Sequence, residues 1–225
     1  MRNLKWSFGL LTAVLVSACA STPPPPPSVA VLTLSGEGCV AAPLLTDAVS
    51  LTPEKKKAYY TVSTLINEVR PCLTADTEVS RYVVYALPLS AENHTVSVGG
   101  RQEAIRTFAP SVRLLDADGK TTRQFADDRF AVLGNIVGVQ FRPLPHERYI
   151  LVQSNPKLVG KSVNTLETRI GTNHGYALNP ATGYGSSYQT QHGIENTVNR
   201  VFSHEGFVDV TVQAATGMIG LPNEK

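Results

Sequence analysis

Phe207-Val208-Asp209-Val210-Thr211-Val212 decides the fold class. Val208, Val210 and Val212 alternate with Asp209 and Thr211, the two-residue period of a strand with one face buried and the other turned outward. Working back along the chain, 82–87, 95–98, 112–115, 121–125, 137–141 and 149–153 are likewise short, apolar or alternating, and rich in Val, Ile, Tyr and Phe. Seven such segments at short spacing imply a mainly β protein, an antiparallel β-sandwich of the jelly-roll or Ig-like kind.

One segment reads differently. From Thr52 onward, Thr52 can cap a helix, Pro53 suits its first turn and Glu54 its positive end, while Ala58, Val62, Leu65, Ile66 and Val69 share one helical face; Pro71 ends it. The expectation is therefore one N-terminal helix, with Lys55, Lys56 and Lys57 as its solvated face. Asp116-Ala117-Asp118-Gly119 lies between two strand-like runs. Its Gly falls at the fourth position and Asp127 at the twelfth, where a calcium loop needs Gly at the sixth and a bidentate Glu at the twelfth. The chemistry expected is that of a tight hairpin turn.

The first residues carry an address. Arg2 and Lys5 precede an uncharged stretch, 6–16, and Val16-Ser17-Ala18 leads into Cys19, the arrangement of a lipoprotein signal peptide, with Cys19 as the lipidated first residue of the mature chain. A membrane-crossing helix needs about 20 apolar residues, more than this run supplies. Several acyl chains on one Cys make a stable anchor, as one alone does not. Pro23 to Pro27 then form a stiff, extended spacer that lifts the folded part of the chain roughly 20 Å from the bilayer. Ala20 stands after the Cys, and by resemblance to enterobacterial lipoproteins the absence of Asp there implies the outer membrane, with the domain facing the periplasm. The organisation expected is a signal peptide over 1–18, a lipidated Cys and Pro-rich linker over 19–28, a helix-containing segment over 29–80, and the sandwich over 81–225.

Loss of Arg2 and Lys5 takes the formal charge from +2 to zero. A neutral chain with scattered charges lacks the concentrated basic face of a nucleic-acid binder. In an oxidising compartment Cys39 and Cys72 read as a disulfide, the alternative being two buried free thiols; neither lies in a Cys-x-x-Cys motif that would indicate redox or metal chemistry.

The motifs that cheaply mark an enzyme are missing: there is no nucleophile elbow, no His-Glu-x-x-His and no phosphate-cradling glycine loop. His94, His146, His174, His192 and His204 show no ligand spacing, and Asp127 and Asp128, taken as strand neighbours, point to opposite faces. Neither catalysis nor a metal or cofactor is expected, though a hydrolase site assembled from distant carboxylates stays open. The most unusual stretch is 171–191, with Asn173, Tyr176, Asn179, Tyr184, Tyr188 and Gln189 among several glycines. Tyr offers a flat apolar face with a hydroxyl, and Asn, Gln and Ser offer adaptable hydrogen bonds, a composition that fits a binding loop for a polar ligand or a protein surface. It fits equally a Gly-rich connection before the last strand. Trp6 is the single Trp and leaves with the signal, so a carbohydrate site would have to stack its sugar on Tyr.

Thr107-Phe108-Ala109-Pro110-Ser111-Val112-Arg113-Leu114-Leu115-Asp116 resembles the signature of the maltose-operon periplasmic protein family, Phe-Ala-Pro-x-Val-x-x-Leu-Asp, and Tyr85-Ala86-Leu87-Pro88, Tyr149-Ile150-Leu151-Val152 and Gly206-Phe207-Val208-Asp209-Val210 resemble strands around it. The resemblance spans about 82–213. It implies a non-enzymatic periplasmic accessory protein associated with maltose and maltodextrin uptake, and carries over no catalytic residue. Two partners are thus in view besides the outer-membrane lipid at Cys19: a maltodextrin or other glycan, and an envelope protein.

Overall fold

The computed structural model describes residues 25–55, 58–75, 78–178 and 180–214. The segment expected to be a signal peptide, Cys19, Asn179 and the C-terminal 215–225 lie outside them. Among the described residues fourteen strands run in order: β1 (Val49–Ser50), β2 (Tyr59–Ile66), β3 (Cys72–Ala75), β4 (Glu78–Ala86), β5 (His94–Arg101), β6 (Arg106–Phe108), β7 (Pro110–Leu115), β8 (Thr121–Gln124), β9 (Ala131–Leu133), β10 (Ile136–Phe141), β11 (Tyr149–Ser154), β12 (Ser162–Leu178), β13 (Gly185–Ser203) and β14 (Gly206–Ala214). The described helix amounts to two single 3-10 turns, Ala91–Asn93 and Asp127–Arg129. The protein is mainly β. One sheet has the order β1-β4-β11-β7-β8 with β3 also on β4, a second β2-β14-β5-β10-β9, and a third β12-β13-β6. All pairings are antiparallel except β1 with β4 and β6 with β13.

One apolar cluster joins the first two sheets. Val83, Tyr85, Val112, Leu114, Ile150 and Val152 of the first sheet share it with Val96, Val98, Val139, Val208, Val210 and Val212 of the second. Each such side chain contributes about 1.5 to 3 kcal/mol by leaving water, so these alternating valines and isoleucines hold the sheets together. The outward residues of β14 are not simply solvated. Asp209 is buried and pairs with Arg101 at 2.7 Å, and the Arg101 guanidinium lies 4.9 Å from the centre of the Phe207 ring.

The distinctive segment 107–116 belongs to this scaffold. Phe108, Ala109, Val112 and Leu114 are fully buried. Pro110 opens β7, a position where its missing N–H costs no ladder bond. Gly100 lies against Phe108 so closely that a Cβ there would fall 2.1 Å from the Phe108 carbonyl oxygen. Only glycine fits that approach.

The helix expected from Thr52 is not formed. Instead Tyr59–Ile66 is a strand, paired with β14 along its whole length from Ile66↔Gly206 to Tyr59↔Gln213. The reason is a second period in the same letters. Tyr60, Val62, Thr64 and Ile66 alternate inward, and the run is β-branched and aromatic, which suits a pleated surface. Three members of the supposed helical stripe are left outside, Ala58, Leu65 at 38% exposure and Val69 at 83%. Lys56 and Lys57 fall outside the described residues.

The hairpin at Asp116 forms as its chemistry requires. β7 and β8 pair antiparallel, the Gly119 N–H donates to the Asp116 carbonyl, and Asp116 Oδ1 accepts from the N–H groups of Asp118 and Lys120. Cys39 and Cys72 are joined in a disulfide across 33 residues. Closing that loop stabilises the fold by about 3.5 kcal/mol in the chain-entropy picture. The bond clamps an irregular N-terminal strap to the outer side of the first sheet, where Val40 bridges Leu73, and where Leu45 and Ala48 cover Tyr82, Val84 and Leu151.

Candidate functional site: a projecting two-stranded ribbon

The stretch 171–191 is neither an irregular loop nor a connection. It is the outer part of one long hairpin, β12 and β13, paired without a register shift from Ser162↔Val201 to Leu178↔Gly185. With 17 residues in β12 and about 3.4 Å per residue, the ribbon is roughly 55 Å long. Sequence reasoning misses both strands because neither face of the ribbon is buried. Without burial no alternation is imposed, and the period-2 signal vanishes.

Its root is fixed by buried arginines. Arg200 donates through Nε to the Glu103 carbonyl at 2.5 Å and through Nη1 to the Thr165 hydroxyl. Arg106 pairs with the Glu103 carboxylate and donates to the Val29 carbonyl at 2.9 Å. There β13 pairs with β6 through Val201, Phe202 and Ser203, and Phe202 packs with Ala109 and Val137. Past Thr165 the ribbon stands clear, with nearly every described residue exposed.

Side chains opposite one another in an antiparallel pair share a face, so the register sorts the candidate residues. Asn173 and Tyr188 lie on one face, Tyr176 and Gln189 on the other, and Tyr184 stands in the turn between the strands. Asn179 lies outside the described residues. The candidates that sequence reasoning groups together are therefore divided between two surfaces and line no common concavity. A surface depression of about 550 Å³ is lined instead by Ala58, Tyr59, Tyr60 and Thr61, around the start of β2.

Two of the tyrosines have local work. Tyr188 covers Gly175 directly opposite it, where a Cβ would meet the ring at 2.3 Å, and Tyr176 covers Gly185 diagonally, where a Cβ would meet the hydroxyl oxygen at 1.8 Å. A ring laid over a glycine shields bare backbone and pins the register. On opposite faces near the tip, these pairs explain part of a Tyr-and-Gly composition that also resembles a binding loop.

Other reactive groups are committed to structure. Ser154 Oγ is 2.9 Å from His204 Nδ1, but both residues are buried and the same hydroxyl accepts the Arg81 N–H, so the pair is closed to a substrate. Burial and the nearby Arg81 charge push the His204 pKa below its ordinary value. Asp127 and Asp128 sit in a 3-10 turn rather than on a strand, and Asp127 accepts from the Asn155 amide. Glu147 is buried against Arg123 and caps the Leu144 N–H. His174 and His192 occupy opposite faces of the ribbon. Among the described residues no three His, Cys, Asp or Glu side chains are placed to hold a metal ion. What the ribbon offers chemically is contact: exposed backbone edges, tyrosine rings and amide side chains. No protein-family model, curated protein or solved structure matches the chain.

Proposed function

We propose that the chain is an envelope lipoprotein that works by contact rather than catalysis, presenting the β12–β13 ribbon to a protein partner. The carrying observation is the ribbon itself, about 55 Å of paired strand rooted in the body by Arg106 and Arg200 and exposed on both faces beyond it. In this reading the two main sheets are an antiparallel β-sandwich of jelly-roll or Ig-like kind, whose role is to hold the root rigid. Cys19 carries the lipid and the prolines after it are the spacer, so that the ribbon works in the periplasm from an outer-membrane anchor. Long strands with free edges favour this use, because an added strand gains main-chain hydrogen bonds along its whole length.

The test is site-specific photocrosslinking of the full chain in cells. Probes at Leu178 and Tyr184 are expected to give discrete protein adducts, while a probe at Thr61 on the body gives none. Absence of adducts at every ribbon position would sink the reading. The anchor is tested separately: Cys19→Ala should abolish metabolic labelling by a palmitate analogue and release the protein from the membrane fraction.

A second reading, a maltodextrin-associated accessory, draws on the segment 107–116 and on the exposure of Tyr176 and Tyr184. Because Phe108, Ala109, Val112 and Leu114 are core residues, that segment supports a shared scaffold more than a shared ligand. Calorimetric titration with maltoheptaose decides it: saturable heat lost in Tyr184→Ala would support it, and no heat would remove it.

A further inference from the structure

We propose that the ribbon's partner is a second copy of this chain, joined edge to edge through β12. The inference rests on the contact reading above and specifies its partner. In the third sheet β12 is an edge strand for its whole 17 residues, whereas β13 is covered at its root by β6. Long free edges are normally blunted by charged side chains, Lys above all, by Pro or by a bulge. β12 contains neither Lys nor Pro, its two charged residues, Glu167 and Arg169, alternate with Leu166 and Ile170, and its pairing with β13 runs without a bulge.

On one face of the ribbon the large apolar side chains lie on that edge. Leu166, Ile170, Tyr176 and Leu178 share one face of β12, each at least 62% exposed, while the cross-strand positions on β13 are Thr197, Gly193, Ser187 and Gly185. An ordinary sheet puts such residues on a central strand and small polar ones at the margin. In this ribbon the order is inverted. Antiparallel pairing of β12 with its own copy about Thr172 restores it: Leu166 comes opposite Leu178 of the second chain, Ile170 opposite its His174, and both β13 strands become the polar margins of a four-stranded sheet. The two-fold makes the surface self-complementary, as an isologous interface requires. Pairing about Thr172 overlaps 166–178, so a strip about 45 Å long and 10 Å high removes roughly 450 Å² from each copy, or about 900 Å² in total, the size of a weak, transient interface. A two-stranded ribbon is marginal alone in water, and four strands with an apolar centre are not.

The test uses the full chain solubilised in detergent, with two differently tagged copies co-expressed and photocrosslinked at Thr172. Self-pairing predicts adducts that contain both tags, at twice the monomer mass. Ile170→Lys and Leu178→Lys should each weaken association at least tenfold, whereas Thr197→Lys, on the strand away from the seam, should change it less than threefold. Replacing 166–197 by Asn-Gly should leave a folded monomer, recognised by an unchanged thermal transition. Adducts of some other mass would overturn self-pairing and leave the contact reading standing. No adduct from any ribbon position would overturn both, and equal damage from Thr197→Lys and Ile170→Lys would overturn the β12 seam.

Discussion

β13 and β14 are consecutive in the chain and obey opposite rules. β14, nine residues long, lies in the second sheet between β2 and β5, and every second residue enters the core. β13, at nineteen residues more than twice that length, starts at the ribbon tip, holds its shape through one neighbour, and meets the body only at its last residues. The first is stabilised by burial, which is non-directional and large. The second depends on backbone pairing and on rings laid over glycines, each contributing a fraction of a kilocalorie to about one. The scaffold should therefore unfold as a unit, and the ribbon should open locally at much lower free energy.

The largest effect should come from the scaffold. Ile150→Ala removes a fully buried side chain from between the sheets and should cost about 2 to 5 kcal/mol, read as a lowered midpoint in urea. Gly100→Ala should cost about 1 to 3 kcal/mol or more, because its methyl group has to displace the Phe108 carbonyl. If either variant melts like the parent, the contrast between the regions fails.

Reducing or replacing the Cys39–Cys72 pair should cost about 3.5 kcal/mol. It should also expose the strap over Tyr82 and Leu151 to proteolysis while the core between the sheets stays protected.

A pH series gives a smaller effect. His204 has a pKa below its ordinary value in the folded state, so the unfolded chain takes up its proton more readily. Stability from this group is complete above about pH 6.5, the unfolded value, and declines as pH falls from there toward the depressed folded value. His204→Gln should flatten the urea midpoint between about pH 7 and pH 5; an unchanged slope would remove His204 as the source.

The smallest global effect belongs to the ribbon. Tyr188→Ala should leave the overall melting within about 0.5 kcal/mol of the parent, yet speed amide exchange around Gly175 and Tyr188 at least tenfold. Equal protection in both chains would mean that the ring over Gly175 does no work.

The same division explains what can be read from the sequence. Strands β4, β5, β7, β10, β11 and β14 are legible because burial forces alternation, and the Asp116 hairpin because turn geometry restricts residue type. β2 reads as a helix because Val62 and Ile66 fit a helical period as well as a strand period, and only pairing with β14 decides between them. The ribbon is unusual in composition, but its strands are invisible in the sequence where no face is buried. The split of Asn173 and Tyr188 from Tyr176 and Gln189 needs the register.

The N-terminal strap also has a mechanical consequence. Before reaching Cys39 it is stitched to the ribbon root: the Val31 N–H donates to Ser203 Oγ, the His204 N–H donates to the Val31 carbonyl, and Arg106 grips the Val29 carbonyl. A pull entering at Pro25 meets these few bonds first and, once they part, stops at the disulfide. The slack released is the chain between Pro25 and Cys39, about 45 to 50 Å when drawn straight. Tension on the N-terminal segment would thus loosen the footing of the ribbon before it reached the core, and the redox state of one cysteine pair would set how far that segment can extend.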